Sequence, residues 1–249
     1  PYQRPRPLSV TKEIPFAKNE NVYASEEVYP TKYFSGVKTQ YLNGHSFAFS
    51  GFTPVRYIPA TGKLSYAQNV TVRVKYATSR VDKSKMLNTS PEVKARVERL
   101  AQNPESLGLY SSNTRQKSID GYELLVITPQ EWVSHFDDYK AHYDARGLRT
   151  KVVALEDIYA VSEGRDEQEK IRTFISQEYE NEGVMMVLLG GDSNLVPYRG
   201  LYCYVMEDYE DPGLPADMYY VCLDGTWDDD NDELWGEIGE DDLLPELAI

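Results

Sequence analysis

Lysine and arginine stop at Arg199. Residues 200–249 carry 16 acids and no base, whereas residues 1–90 carry 13 Lys/Arg against 5 Asp/Glu. That split argues against a single nucleic-acid surface, which needs clustered positive charge. Two readings of the split stay open: the two regions attract each other, or each is solvated by itself. Cysteine and histidine are also scarce, at 2 and 3 residues. So few thiols exclude a disulfide framework. Cys203 and Cys222 sit in Tyr- and Val-rich runs, which reads first as buried thiols and second as a disulfide between paired segments. His45, His135 and His142 all lie far upstream of them, so no nucleophile–base pair is poised in the sequence. No apolar run reaches the roughly 18 residues that a membrane span needs, and the opening "PYQRPRPLSV" is not a signal peptide. The chain lacks an initiator Met and stops on the apolar "LLPELAI", so it is expected to be a piece of a longer precursor.

What is present divides into three stretches. Residues 1–86 read as β-sheet. "NVTVRVKY" alternates Val70, Val72, Val74 and Tyr76 with polar residues, "SFAFSGF" alternates Phe47 and Phe49, and Asn43-Gly44 is a hairpin-turn signal. "YIPATGKLSYA" adds two short strands about a turn, and an antiparallel sandwich is the expected architecture. Residues 87–120 hold a helix, with Ser90 as N-cap, Pro91 in its first turn, and Val93, Val97 and Leu100 on one face. The polar stretch "YSSNTRQKSIDG" follows, with Arg115 and Lys117 as candidate processing positions against the simpler reading of a plain linker.

From residue 121 to 249 strands and helices alternate. "YELLVIT", "LRTKVVAL" and "VMMVLLGG" are apolar strands, separated by "PQEWVSHFDDYKAHYDARG" and "DEQEKIRTFISQEYENEG", which carry helical spacing and end in glycine. This predicts a largely parallel sheet with helices on both faces. "ADMYYVCLDG" reads as a fourth strand that delivers Asp224 into the loop that follows.

That loop, "LDGTWDDDNDELWGE", holds seven carboxylates and no base. Two carboxylates about 4 Å apart repel by roughly 1 kcal/mol even in bulk water, so something must offset the charge or the loop must be splayed in solvent. Asp192, at the end of the third strand, together with Asp224, Asp228, Asp230, Asp232 and Glu237, is the candidate set for one hard cation. Calcium takes about 6–8 oxygens, and alternate residues of a curling loop can supply them. Asp228-x-Asp230-x-Asp232 opens like an EF-hand, but Glu233 stands where its glycine would be, so this is not one. A solvated acidic loop is the bland alternative. A magnesium phosphotransfer site is the third, disfavoured by the lack of a Gly-rich phosphate loop.

The combination of "YKAHYDARGLRTKVVALEDI", "FISQEYENEGVMMVLLGGD" and "ADMYYVCLDGTWDDDNDELWGE" resembles the gingipain-type cysteine peptidases, secreted caspase-like endopeptidases of Bacteroidetes. The first region, with "GFTPVRYIPATGKLSYAQNVTVRVKY", is similar to the pro-domain of that family. The resemblance implies a caspase-like α/β fold for residues 121–249, incomplete at the C-terminus. It also implies calcium held by Asp192, Asp224, Asp228 and Glu237, protein or peptide substrates, an intramolecular pro-domain contact, and a secreted or cell-surface location. The family's His-Gly and catalytic Cys motifs are absent from this sequence, which places the dyad beyond Ile249 and makes the chain a latent, non-catalytic fragment. A secreted calcium-binding adhesion module or a pseudo-peptidase is the competing expectation. Neither a nucleic-acid partner nor a transmembrane segment is expected.

Overall fold

The computed structural model describes residues 19–75, 87–110, 121–206, 209–240 and 242–249. These divide into two compact units, one of residues 19–39 and 48–75, the other of residues 40–47 and 87–249. Arg115 and Lys117, and the strand expectation at Tyr76, lie outside the described residues.

In the first unit, after one helical turn, α1 (Glu20–Tyr23), β3 (Val55–Ile58) and β4 (Lys63–Tyr66) form an antiparallel hairpin about Gly62, in register from Val55↔Tyr66 to Ile58↔Lys63. Strands β1 (Lys38–Leu42) and β2 (His45–Phe49) form a second pair whose ends straddle the unit boundary. Asn43 and Gly44 both have positive φ, 49° and 76°. A tight turn with two left-handed residues follows the right-handed twist of the strands, which is why Asn-Gly predicts it. Residues 69–75 form no strand, contrary to their alternating pattern; Val72 is 62% exposed. Alternation marks a strand only if a partner supplies the ladder, and none does so here among the described residues.

In the second unit, α2 (Pro91–Leu100) starts as expected. The Ser90 side chain accepts from the Val93 amide, and Val93 and Val97 are buried, while Leu100 is 51% exposed. The sheet is parallel, in the order β6 (Thr150–Ala154), β5 (Leu124–Thr128), β7 (Met186–Leu189). All five residues of central β5 are buried, whereas edge β6 keeps an exposed lysine. A strand enclosed on both faces has no use for alternation, so its sequence is continuously apolar. Between the strands of this sheet run a 3-10 turn at Gln130–Phe136, α3 (Asp137–Asp144), α4 (Leu155–Val161), which the sequence reading did not separate, and α5 (Glu167–Asn181). α5 buries Ile171, Phe174, Ile175 and Tyr179, and Gly183 ends it in a left-handed conformation, φ 84°. Glycine at 190 has a packing cause: a Cβ there would stand 2.6 Å from the Phe136 ring.

The expected fourth strand is not a strand. Asp217–Tyr220 is a 3-10 turn whose Tyr219 and Tyr220 enter the core with Trp227. An apolar run this short does not distinguish strand from buried turn by pattern. An antiparallel pair that the sequence reading missed precedes it, β8 (Arg199–Met206) with β9 (Tyr209–Ala216). The chain then returns to the parallel sheet. Ala248 bridges to Met186, and the Val187 amide donates to Ala248 O at 2.8 Å. That return positions the site.

Candidate metal centre

Three carboxylates that the sequence scatters are gathered by this return. Asp224, Asp242 and Glu246 are 5, 7 and 5% exposed, and each offers an oxygen within 4.8 Å of the others'. Asp224 hangs from the run that Tyr219, Tyr220 and Trp227 anchor in the core; the Trp227 indole donates to Cys222 O at 3.3 Å. Glu246 is fixed at both oxygens. Its Oε2 accepts from the Leu223 amide at 2.7 Å and its Oε1 from the Asn43 amide at 3.1 Å, while its own amide donates to Val221 O. Asp242 Oδ1 accepts from the Leu244 amide at 3.2 Å; its Oδ2 is buried and accepts no hydrogen bond among the described residues.

Among the described residues the guanidinium against this cluster is Arg172 of α5, and its hydrogen bonds go elsewhere. It donates to the carbonyls of Tyr219, Cys222 and Gly225 at 2.9, 2.7 and 3.2 Å. Burial pushes its pKa down, opposed by the neighbouring Tyr219 and Asp242. With three ionised carboxylates and one guanidinium the formal charge is −2. Burial pushes the Asp242 carboxyl up to about 6, with Asp224 adding to it, and pushes Glu246 up as well, again with Asp224 next. Fully ionised, a buried cluster that holds an orphaned oxygen and carries −2 complements a hard divalent cation in charge and in donor type, and without such a charge its carboxyls favour their protons.

The acidic loop beyond it is organised differently. Asp228 is 1% exposed and pairs with Arg165 Nη1 at 2.5 Å. Burial pushes its carboxyl up, but Arg165 and the amides of Asp232 and Glu233 more than offset this and hold it below the usual range. Asp228 Oδ1 and Asp230 Oδ1 both accept from the Asp232 amide, and Asp232 Oδ1 accepts from the Leu234 amide at 2.9 Å. Left-handed φ at Trp227, Asn231 and Glu233 curls the loop tightly enough for these bonds. Two further carboxylate groupings result, Asp228 with Asp230 and Glu240, and Asp230 with Asp232 and Glu237. Except for Asp228 they are exposed or half-buried. Arg199 fastens the neighbourhood: it forks onto Asp166, the N-cap of α5, at 2.7 and 2.8 Å, and lies 3.9 Å over the Trp235 ring.

The six residues expected at one cation are therefore divided. Asp224 stands in the buried triad; Asp228, Asp230, Asp232 and Glu237 stand in the outer loop. Asp192 is exposed at the turn after β7, where it accepts from the Asn194 amide at 2.9 Å, and belongs to none of the three groupings. Asp242, Glu246 and Glu240 were missed. Only the density of acids after Arg199 hinted at the first two, because nothing in their spacing forecasts the return of residues 242–248 to β7.

Cys222 is fully buried, and burial followed by Asp242 and Glu246 pushes its thiol pKa well up. A thiol in that setting packs as a small apolar side chain. Cys203 is unpaired as well. His45 directs Nδ1 to the carbonyls of Leu42 and Asn43.

A model of peptidase family C25 matches residues 118–249, and a second, described as Propeptide_C25, matches residues 7–97. Among curated proteins, Gingipain R2 of Porphyromonas gingivalis is 30% identical over 105 residues, which cover 41% of this chain and 12% of that protein. Gingipain R1 of the same organism is 28% identical over 180 residues, covering 70% of this chain and 16% of that protein. The chain thus spans under a fifth of the length of these relatives. No solved structure matches it.

Proposed function

The chain belongs to peptidase family C25, and from that premise we propose that it is the N-terminal part of a secreted, calcium-stabilised cysteine endopeptidase precursor. In this reading residues 1–86 are a β-sandwich pro-domain, residues 87–120 a linker cut near Arg115 or Lys117, and residues 121–249 the first part of a caspase-like catalytic domain. The observation that carries it is the order of the two family matches along one chain. The thiolate that attacks the peptide carbonyl and the histidine that relays the proton come from outside this chain. Their absence here is supported by the buried, proton-retaining Cys222 and by a His45 committed to backbone carbonyls.

Calcium is the proposed resident ion, with Asp224, Asp242 and Glu246 as its ligands. The outer residues Asp228, Asp230, Asp232 and Glu237, joined by Glu240, form a weaker second locus. When bound, the ion supplies positive charge that keeps the triad ionised. Arg172 holds the carbonyls of Tyr219, Cys222 and Gly225 behind it, and the Leu223 amide orients Glu246.

The test uses the protein extended to its natural stop and assays cleavage of Arg- and Lys-containing peptides, with and without calcium and a thiol-alkylating agent. Calcium-dependent cleavage abolished by alkylation supports the peptidase. No cleavage, with calcium still raising the melting temperature, moves the reading to a calcium-binding module or pseudo-peptidase. Mass spectrometry that finds the mature N-terminus far from residues 111–120 rules out the processing assignment.

A further inference from the structure

Asn43-Gly44 is the one Asn-Gly pair in the sequence, and the same pair that favours a tight turn is chemically labile. The Gly44 backbone nitrogen can attack Cγ of the Asn43 side chain, because glycine has no Cβ to obstruct the approach. The new N–C bond closes a five-membered succinimide, and the side-chain nitrogen leaves as ammonia. Water then opens the ring at either carbonyl, which leaves aspartate or isoaspartate at position 43. The attack needs the Gly44 amide proton removed, so it quickens with rising pH. It needs no oxidant and no enzyme.

The fold opposes every step of this reaction. Asn43 is 1% exposed, and the adjacent Leu42 is fully buried against Val93 and Val97, so base and water are kept out. The leaving nitrogen, Nδ2, donates to Tyr179 Oη at 2.9 Å and to Glu246 O at 3.1 Å. Cγ cannot swing towards Gly44 without breaking both bonds. Asn43 Oδ1 is buried and accepts no hydrogen bond among the described residues, so the oxyanion that forms there on attack has no donor to stabilise it. His45, the nearest imidazole in sequence, faces Nδ1 to the carbonyls of Leu42 and Asn43 at 3.3 and 3.2 Å. Between two acceptors that nitrogen carries a proton and cannot take the one on Gly44.

Neither product fits where asparagine stood. Aspartate tolerates the left-handed φ of 49°, but it has no N–H for Tyr179 or for the Glu246 carbonyl. It also sets a second carboxylate beside Glu246, whose Oε1 already accepts from the residue 43 amide at 3.1 Å. Isoaspartate carries the main chain through the former side chain and so lengthens the turn between β1 and β2.

We propose that Asn43 is a deamidation site that folding closes: the chain converts there only while the Asn43-Gly44 turn is unpacked, and the converted turn does not pack again. The reaction is therefore a covalent, one-way mark on chains that fold late or reopen. In the native protein it runs only through the open fraction, so its native rate is the unfolded-chain rate scaled by that fraction. Neither a bound cation nor peptidase activity enters this inference.

The test incubates the full chain at one mildly alkaline pH in chelator, native in one arm and unfolded in urea in the other. Peptide mapping by mass spectrometry follows Asn, Asp and isoAsp at position 43 over time. In the urea arm Asn43 is expected to convert ahead of every other asparagine. In the native arm its conversion is expected to be slower by about 100-fold or more, the reach of an opening that costs a few kcal/mol. Tyr179→Phe, which removes one acceptor from the leaving nitrogen, should speed the native arm severalfold and leave the urea arm unchanged. Asn43→Asp, the product made directly, should melt roughly 5 °C or more below wild type, from two buried hydrogen bonds lost and a carboxylate buried; failure of this variant to fold supports the same point. Native wild type that converts as fast as the unfolded chain overturns the proposal, as does an unfolded chain in which Asn43 lags behind other asparagines. An Asn43→Asp melting temperature equal to that of wild type overturns it too, because the product would then pack like asparagine.

Discussion

Two carboxylate clusters share one stretch of this chain and solve the same electrostatic problem in opposite ways. The outer loop keeps its charge near water, curls on its own amides and lends one buried carboxylate, Asp228, to Arg165. The inner triad buries all three of its carboxylates, and the adjacent Arg172 directs its hydrogen bonds to carbonyls. Exposed carboxylates at a few ångströms cost little, because water screens them. Buried ones cost several kcal/mol each unless paired, protonated or ligated. The outer loop can stand without a cation, whereas the inner triad needs either a cation or protons. The loop that advertises metal binding in the sequence is thus the less demanding of the two.

The comparison can be broken from its costly side first. Arg172→Met strips the guanidinium from three carbonyls and removes the positive charge beside the triad. It should destabilise the chain by about 3 kcal/mol or more in urea titration, as expected for removing a buried charge's partner. A loss under about 1 kcal/mol means that the triad does not depend on that charge. Calcium comes next. At a hundredfold excess over its dissociation constant a ligand adds roughly 2.7 kcal/mol, which for a chain of this size raises the melting temperature by roughly 5–10 °C. Glu246→Gln should remove most of that rise, while Asp232→Asn should keep most of it.

The pH dependence separates the inner pair, Asp242 and Glu246, from Asp228 by sign. Asp242 and Glu246 have folded-state pKa values raised above the unfolded ones, so protonation favours the fold. In chelator, stability from these groups is greatest below about pH 4 and falls as pH climbs through about 6 and beyond; saturating calcium should flatten or reverse that slope. Asp228 is depressed instead, so its contribution is present above about pH 4 and lost only in stronger acid. Melting temperatures at pH 5 and pH 8 in chelator should therefore fall with rising pH in wild type and change less in Glu246→Gln. The smallest effect belongs to the exposed acids: Asp230→Asn should shift stability by less than about 0.5 kcal/mol. A gain well above that would show the outer loop to be strained by its own charge.

Sequence pattern reached most of the parallel sheet, because β5 and β7 carry continuous apolar runs, β6 carries Val152 and Val153 beside an exposed Lys151, and the α5 pattern has helical spacing with glycine at its end. Asn43-Gly44 and the Ser90-Pro91 cap were also legible, since turn and cap chemistry is local. The β8–β9 pair was not. β9 reads "YEDPGLPA", and two prolines with a glycine conceal a strand that, paired on one side only, tolerates them. The 3-10 turn at Asp217–Tyr220 passed for a strand because its apolar residues are buried either way. The triad was hidden for a different reason: its members meet through the return of residues 242–248 to β7 and to Val221, long-range contacts that leave no local period.

The most direct measurement is calorimetric titration of calcium into the chelator-stripped chain and into its Glu246→Gln and Asp232→Asn variants. The account predicts a strong site in wild type that Glu246→Gln loses and Asp232→Asn retains. The reverse pattern would move the metal centre to the outer loop, and no strong binding in wild type would contradict the calcium reading itself.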